Sequence, residues 1–249
     1  MFNKLNSNST SLDLPNGKKT IILIRRSKKS HRLKIRMLPG IGQVELVLPD
    51  YLQLKDGLLF LKQKICWISK QLETHPDPIP FCDGSIIRLF DQPLQIYHVT
   101  ETGSDVWCEG QKLMVAAPKK ELSRAISDWY KREAGCTLKT IVDEKTALLG
   151  LGYSRLTIRD TKSRWGSCSG SGHLSFSWRI IMAPRFVSDY IVSHEVAHLK
   201  EMNHSETFWN IVRSLSNNVD EGRSWLRLNG YRLHSYGVEL PEREFCASK

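Results

Sequence analysis

Two histidines and a glutamate in the C-terminal half of the chain have the spacing of a metal-dependent hydrolytic site. The segment is His194-Glu195-Val196-Ala197-His198. One turn of a helix separates the two histidines, so both imidazoles can reach one Zn²⁺ ion at about 2.0–2.1 Å. The glutamate between them lies beside the metal without having to ligate it, and it can take a proton from water that the metal activates. The spacing therefore predicts zinc-assisted hydrolysis with Glu195 as general base.

A tetrahedral catalytic zinc site needs a third protein ligand, and His204 stands six residues beyond His198. A continuous helix would place His204 on the wrong face, so we expect the helix to end between about Lys200 and Asn203. Asn203 is suited to the left-handed conformation that would turn the chain back. The sequence thus predicts one Zn²⁺ ion per chain, held by His194, His198 and His204. Glu206 and Glu221 are the alternatives for the third position.

The elements around this segment must hold the ligands rigidly. Apolar residues at helical spacing predict a largely buried helix from about Pro184 through Lys200. We expect a strand at 155–159, a loop, a second strand at 173–178, and one or two further helices to about Leu228. A long helix from about Lys119 to Leu149 should precede them and end at Gly150.

Further motifs accompany the histidine segment in a fixed order. They are Lys162–Ser169, Trp178-Arg179, Ala183-Pro184, Asp189-Tyr190, His194–Leu199, Asn203-His204-Ser205 and Phe208-Trp209. From about Arg155 to Trp209 the chain closely resembles the YgjP-like family of metal-dependent hydrolases, which is related to the SprT and WLM metallopeptidases. The resemblance is weaker in the residues before this stretch.

The resemblance implies an α+β fold, in which a strand-rich N-terminal region precedes a zincin-like metallopeptidase core with an HExxH helix. It implies zinc binding by the same three histidines, Glu195 as base, and a peptide or protein substrate. Two positions depart from the pattern. Glu201 stands where zincins of this spacing usually have glycine, and Ser177 stands where the family usually has asparagine.

The segment Arg164–Ser169 has a functional and a structural interpretation. A strand beside the metal helix could pair with an extended peptide substrate. Alternatively, Trp165 packs, Gly166 permits a close approach, and Cys168 is a small buried residue. Three nitrogen ligands and water already complete a catalytic zinc site, which disfavours Cys168 as ligand or nucleophile. Candidates to stabilise the oxyanion are Arg164, Arg179 and His173, each with a salt bridge or surface role as the alternative.

Alternating apolar residues before residue 117 indicate strands at 20–26, 32–38, 43–48, 85–90, 94–98 and 112–115. The first three suggest an antiparallel meander, and the polar residues 1–20 suggest a frayed tail. A helical stripe runs from Leu52 to Leu72 and should end at Pro76-Asp77-Pro78. These patterns predict a strand-rich region with one helix at 1–117 and a catalytic domain at 118–249.

The 249 residues carry a net charge of +10, and nine Lys or Arg without any acid lie between Lys18 and Arg36. This basic run could bind nucleic acid or form a solvated strand face. The six cysteines form no C-x-x-C pair, no apolar run is long enough for a membrane helix, and the first residues lack a signal-peptide pattern. We therefore expect a cytoplasmic protein with reduced thiols and no membrane partner.

Three functions are compatible with these patterns: a zinc metallopeptidase, a zinc amidase acting on a non-protein substrate, and a nucleic-acid-binding module with a structural metal. The first is the leading prediction. Oligomeric state, natural substrate and cleavage preference have no signal in the sequence.

Overall fold

A computed structural model describes residues 2–6, 8–38, 40, 43–99 and 105–238 of the chain. The fold is α+β, as predicted, and the chain divides into two compact units between Pro78 and Ile79. The predicted domain division at 117/118 falls inside the second unit. The reason is that strand residues such as Ile96 and Leu113 share one core with Ile126 and Tyr130 of the following helix.

The first unit contains a five-stranded sheet. Its strands are β1 Phe2–Asn6, β2 Ser9–Asp13, β3 Lys19–Ser27, β4 Lys34–Leu38 and β5 Gln43–Pro49. Their order is β1-β2-β3-β5-β4, with β3 and β5 parallel and the other pairs antiparallel. The predicted frayed tail is therefore wrong, because β2 pairs with β3 and buries Leu12. The predicted meander is also wrong, because β5 inserts between β3 and β4.

The single helix predicted at 52–72 is two helices, α1 Leu54–Gln63 and α2 Ile65–Thr74, which meet at Lys64. Gly57 lets α1 lie directly on the sheet, since a Cβ there would be 2.8 Å from Leu46 Cδ2. Leu61 and Ile68 fill the core of this unit between helices and sheet. As predicted, the helical segment stops before Pro76, which disfavours helical backbone in the residue before it.

The second unit has two small sheets. The strands of the first are β6 Ile86–Leu89, β7 Gln92–Val99, β8 Val106–Glu109 and β9 Lys112–Ala116, in the order β6-β7-β9-β8. Those of the second are β10 Arg155–Arg159, β11 Gly166–Cys168 and β12 His173–Ser177, in the order β10-β12-β11. Alternation patterns missed β8 and placed β11 in a loop, although a strand beside the metal helix was one of the two interpretations of Arg164–Ser169.

Four helices complete the second unit: α3 Leu122–Leu149, α4 Arg185–Ala197, α5 Glu206–Leu215 and α6 Val219–Asn229. Short 3-10 helices occupy Lys119–Glu121, Trp178–Met182 and Gly230–Ser235. As predicted, Gly150 ends α3 in the left-handed conformation, with φ of 64°. Most of α4 is buried, including Val187, Ile191 and Val196, so α4 is the central helix of this unit. Within the described part of the chain, none of the helices is both long and apolar enough to span a membrane.

One strand arrangement occurs three times. In β3–β5, β7–β9 and β10–β12 the first and third strands pair in parallel, and the second strand lies antiparallel at the far side of the third. Each set is followed by a helix, α1, α3 or α4. In the third set the second strand, β11, therefore forms the sheet edge.

Candidate metal centre and active site

The three predicted histidines meet at the end of α4. Their ligand atoms all lie within 4.8 Å of one another, and this is the only such histidine, cysteine or carboxylate group among the described residues. The Nε2 atoms of His194 and His204 are 3.1 Å apart. Nδ1 of His198 is 3.0 Å from the carbonyl oxygen of Glu201, which leaves the other ring nitrogen of His198 free to face its neighbours.

These distances fit a metal ion. Two nitrogens at about 2.0–2.1 Å from a tetrahedral Zn²⁺ lie about 3.3 Å from each other, close to the separation of His194 and His204. Burial is the main cause that lowers the pKa of His194 to about 4, and the neighbouring His198 and His204 add to it. Burial likewise lowers the pKa of His198. Both rings are therefore neutral at physiological pH, the state in which imidazole binds a metal.

The chain turns back to His204 in a different way from the prediction. Helix α4 ends at Ala197. In the turn that follows, the Ala197 carbonyl oxygen accepts hydrogen bonds from the Lys200 amide at 3.1 Å and from the Glu201 amide at 3.0 Å. Asn203 does not adopt the left-handed conformation, so that prediction is wrong. Instead the Glu201 carboxylate accepts a hydrogen bond from the Asn203 amide at 3.2 Å, and the Glu201 carbonyl oxygen lies at the His198 ring. Glu201 thus stabilises this turn by two contacts, at the position where zincins of this spacing usually have glycine.

Helix α5 begins two residues after His204 and fixes the position of this third histidine. Ser205, which follows His204 directly, caps α5 by accepting a hydrogen bond from the Phe208 amide at 3.2 Å. The Phe208 ring lies 4.5–4.9 Å from all three histidine rings. Trp209 lies 5.7 Å from His194 and 6.0 Å from His204. Two aromatic rings therefore restrict the rotamers of the three imidazoles.

Glu195 lies against the edge strand β11. A Cβ on Gly166 would be 2.6 Å from Cγ and 2.7 Å from Oε1 of Glu195, so only glycine leaves room for this carboxylate. The backbone of Trp165 and of Ser169 forms hydrogen bonds with the neighbouring strand β12. Because successive residues of a strand direct their amides to opposite sides, the Cys168 amide faces away from β12. That amide donates to the Glu195 carboxylate. The edge strand β11 is therefore the element that orients the predicted base.

Burial raises the pKa of Glu195 to about 7, while the Arg164 guanidinium and the Cys168 amide oppose this rise. A divalent cation bound at the histidines would lower it again. The Glu195 residue is only 7% exposed. It is thus a desolvated group with a pKa near neutrality, as a general base requires.

Cys168, predicted to be a small buried residue, is half-buried and packs against the core of the second unit. Burial and the charge of Glu195 raise the pKa of the Cys168 thiol to about 11, so the nucleophilic thiolate is scarce. Cys168 is also outside the metal-ligand group, as are Glu206 and Glu221. Ser177 is fully buried, and its hydroxyl accepts a hydrogen bond from the Arg179 amide at the start of a 3-10 helix.

The three oxyanion candidates occupy different environments. The Arg179 guanidinium binds Asp160 through two hydrogen bonds and donates to the carbonyl oxygens of Leu233 and Tyr236, so its donors serve the fold. The ring of His173 lies 3.0 Å from the Thr157 hydroxyl. Arg164 is exposed, and its charge acts on Glu195. Of these three candidates, only Arg164 acts electrostatically on the site.

Two side chains that sequence reasoning did not select also face the centre. Tyr190 lies one turn before His194 on α4, with ring centroids 6.1 Å apart. The Arg223 guanidinium of α6 lies 5.2 Å from the Trp209 ring centroid, and its charge lowers the pKa of His194. Gly222 allows this approach, because a Cβ there would be 2.7 Å from the Tyr190 Cβ. The i−4 spacing of Tyr190 was a usable signal, whereas nothing in the sequence links α6 to α4.

A family model described as YgjP-like, metallopeptidase domain, matches residues 31–229. The chain belongs to this family. None of the curated proteins matches the chain. The solved zymogen of Pyrococcus abyssi abylysin, a metallopeptidase, is 23% identical, covers 37% of this chain and 95% of its own, and has a TM-score of 0.33. The zymogen of Methanocaldococcus jannaschii jannalysin is 25% identical with the same coverage and a TM-score of 0.34.

Residues 31–229 therefore form a metallopeptidase domain of the YgjP-like family. The three-histidine group is the place in the described structure that could hold its metal ion. The likeness to the two zymogens is too weak at these TM-scores to add to this conclusion.

Proposed function

We propose that the chain is a zinc-dependent peptidase, with one Zn²⁺ ion held by His194, His198 and His204 and with Glu195 as general base. The observation that carries the proposal is the approach of three imidazoles beside a buried carboxylate. Membership of a metallopeptidase family supports it. Zn²⁺ is favoured because it prefers nitrogen ligands in tetrahedral geometry and has no redox chemistry.

The metal would supply a Lewis acid that polarises the scissile carbonyl and lowers the pKa of water. Glu195 takes a proton from the attacking water and later gives it to the leaving amine. The Cys168 amide and the backbone at Gly166 hold the carboxylate in place during both transfers. The Arg223 guanidinium, which no described carboxylate pairs, would neutralise the oxyanion.

The outer side of β11 is suited to an extended substrate. Its partner β12 occupies one side only, so a peptide can add a strand along the other side, beside the Cys168 amide that bonds Glu195, and bring its carbonyl to the histidines. This favours a peptide over a compact non-protein amide. An amidase would use the same groups, and only a substrate screen separates the two.

A structural metal site in a nucleic-acid-binding module is a weaker alternative. Structural zinc sites have four protein ligands, whereas the described cluster has three, and one of them, His204, is exposed. An accessible position on the metal is what catalysis needs. The free state of five cysteines, from Cys66 to Cys168, supports a reducing location such as the cytoplasm; Cys246 lies outside the described residues.

The test uses zinc-loaded wild type and the isosteric Glu195→Gln variant on a peptide library derived from digested cell protein, with new termini identified by mass spectrometry. Wild type should generate new termini. Glu195→Gln should keep one zinc per chain and lose turnover by several orders of magnitude. Equal cleavage by both proteins would contradict the mechanism, and cleavage of amide substrates without any peptide cleavage would favour the amidase.

A further inference from the structure

Most of the positive charge lies in the first unit. Residues 1–78 contain 14 Lys and Arg against 6 Asp and Glu, a net charge of +8. Residues 79–249 contain 22 against 20, a net charge of +2. The unit that holds the candidate active site is thus nearly neutral, and the field that could attract a polyanion comes from the other one.

Part of the basic run has a structural role. Arg25 pairs with Glu45 on the neighbouring strand at 2.8 Å, and Arg26 donates to the carbonyl oxygens of Asp50 and Leu52. By contrast, no hydrogen bond or ion pair within the described structure engages the side-chain nitrogens of Arg32, Lys34 or Lys64. These cations are available to a ligand.

The three available cations line one groove of the first unit, with a volume of about 460 Å³. It lies between the edge strand β4 and the junction of α1 and α2. Its apolar surface comes from Leu33, Ile35, Phe60 and Trp67. Trp67 is 44% exposed, an unusual position for a large aromatic side chain that has no surface role. No acidic residue lines the groove.

We propose that this groove binds single-stranded nucleic acid. Trp67 offers a flat face on which a base can stack, while Arg32, Lys34 and Lys64 bind the phosphates on either side of it. A single strand is favoured over a duplex because stacking on Trp67 requires an unpaired base. It is favoured over an acidic peptide because a carboxylate-rich chain would engage the cations but leave the exposed indole without a partner.

The test is binding of a fluorescent oligo(dT) of about 20 nucleotides to the full chain, followed by anisotropy over a series of salt concentrations. Three phosphate contacts on a single strand predict a slope of log K against log salt of about −2. Trp67→Ala should weaken binding by about 5- to 150-fold through lost stacking. Lys64→Ala should weaken binding less and reduce the slope by about 0.7.

Exposed residues of the second unit provide matched controls. Trp107→Ala and Lys120→Ala remove the same groups elsewhere and should leave the affinity unchanged. Binding that is absent in wild type, or equally tight in Trp67→Ala and Trp107→Ala, would overturn the proposal. Polyglutamate provides the competing test. If it displaces the oligonucleotide at equal charge concentration, and if its binding depends on Lys64 but not on Trp67, the groove binds acidic peptides instead. Because the measurement needs no turnover, its failure is distinct from failure of the proposed peptidase activity.

Discussion

Replacing Gly166 with alanine should displace the base from its working position without touching the metal ligands. The added Cβ would lie 2.6 Å from Cγ, 2.7 Å from Oε1 and 2.9 Å from Cδ of Glu195. An ordinary contact needs about 3.4 Å, so the Glu195 side chain must move by about 0.8 Å. It has little room to move elsewhere, since it is 7% exposed and lies among packed neighbours.

The size of this displacement sets the expected loss of activity. Misplacing a reacting group by about 1 Å can cost about 10²-fold in rate. We therefore expect kcat/KM to fall about 10²-fold, which corresponds to about 2.7 kcal/mol of transition-state stabilisation. The added methyl group also overpacks this site, which should lower the free energy of unfolding by about 1–3 kcal/mol.

The assay measures cleavage of a peptide found in the library screen, together with zinc content and the melting temperature. Gly170→Ala is the matched control, because no atom lies within 4 Å of the Cβ position at Gly170. It should retain wild-type kcat/KM. Wild-type activity in Gly166→Ala would refute the inferred contact between β11 and Glu195. Loss of zinc from a folded Gly166→Ala protein would show that the glycine acts on the metal centre rather than on the base.

Three further predictions concern the metal, the cation beside it and acid stability. His204→Ala should lower zinc affinity more than about 100-fold, measured by metal content after dialysis, whereas Glu206→Ala should keep the ion; the reverse result would make Glu206 the ligand. Arg223→Ala should reduce kcat at least about tenfold with zinc retained, while Arg227→Ala on the same helix should not; equal rates would remove Arg223 from the mechanism. Burial, aided by Arg179, lowers the pKa of His234 to about 4, below the value of about 6.5 expected when unfolded. The unfolded chain therefore binds the proton first, so stability is complete above about pH 6.5 and declines as the pH falls towards 4. The His234→Phe variant keeps an aromatic ring on Trp165, so between about pH 6.5 and 4 its melting temperature should decline less than that of the wild type. Parallel curves of melting temperature against pH for the two proteins would contradict the lowered pKa of His234.

The helices around the site were accessible to sequence reasoning because helical periodicity is local. The apolar spacing in 187–197 predicted a buried α4, and Gly150 marked the end of α3. Strand pairing was less accessible. An alternating pattern is the same whether a strand pairs in parallel or antiparallel, so the patterns did not reveal that β5 inserts between β3 and β4. Short strands such as β11, with three residues, carry too few positions to show any alternation.

The sequence by itself determined the chemistry of the candidate site. Histidines one helical turn apart, a carboxylate between them and a third histidine after the helix specify a metal and a base, because helix geometry fixes which side chains share a face. Tertiary structure decided what surrounds them. It placed Gly166 against Glu195 and Gly222 against Tyr190, and it brought Arg223 over Trp209. These contacts join residues far apart in the chain, and no local pattern records them, because they arise only when β11 and α6 pack against α4.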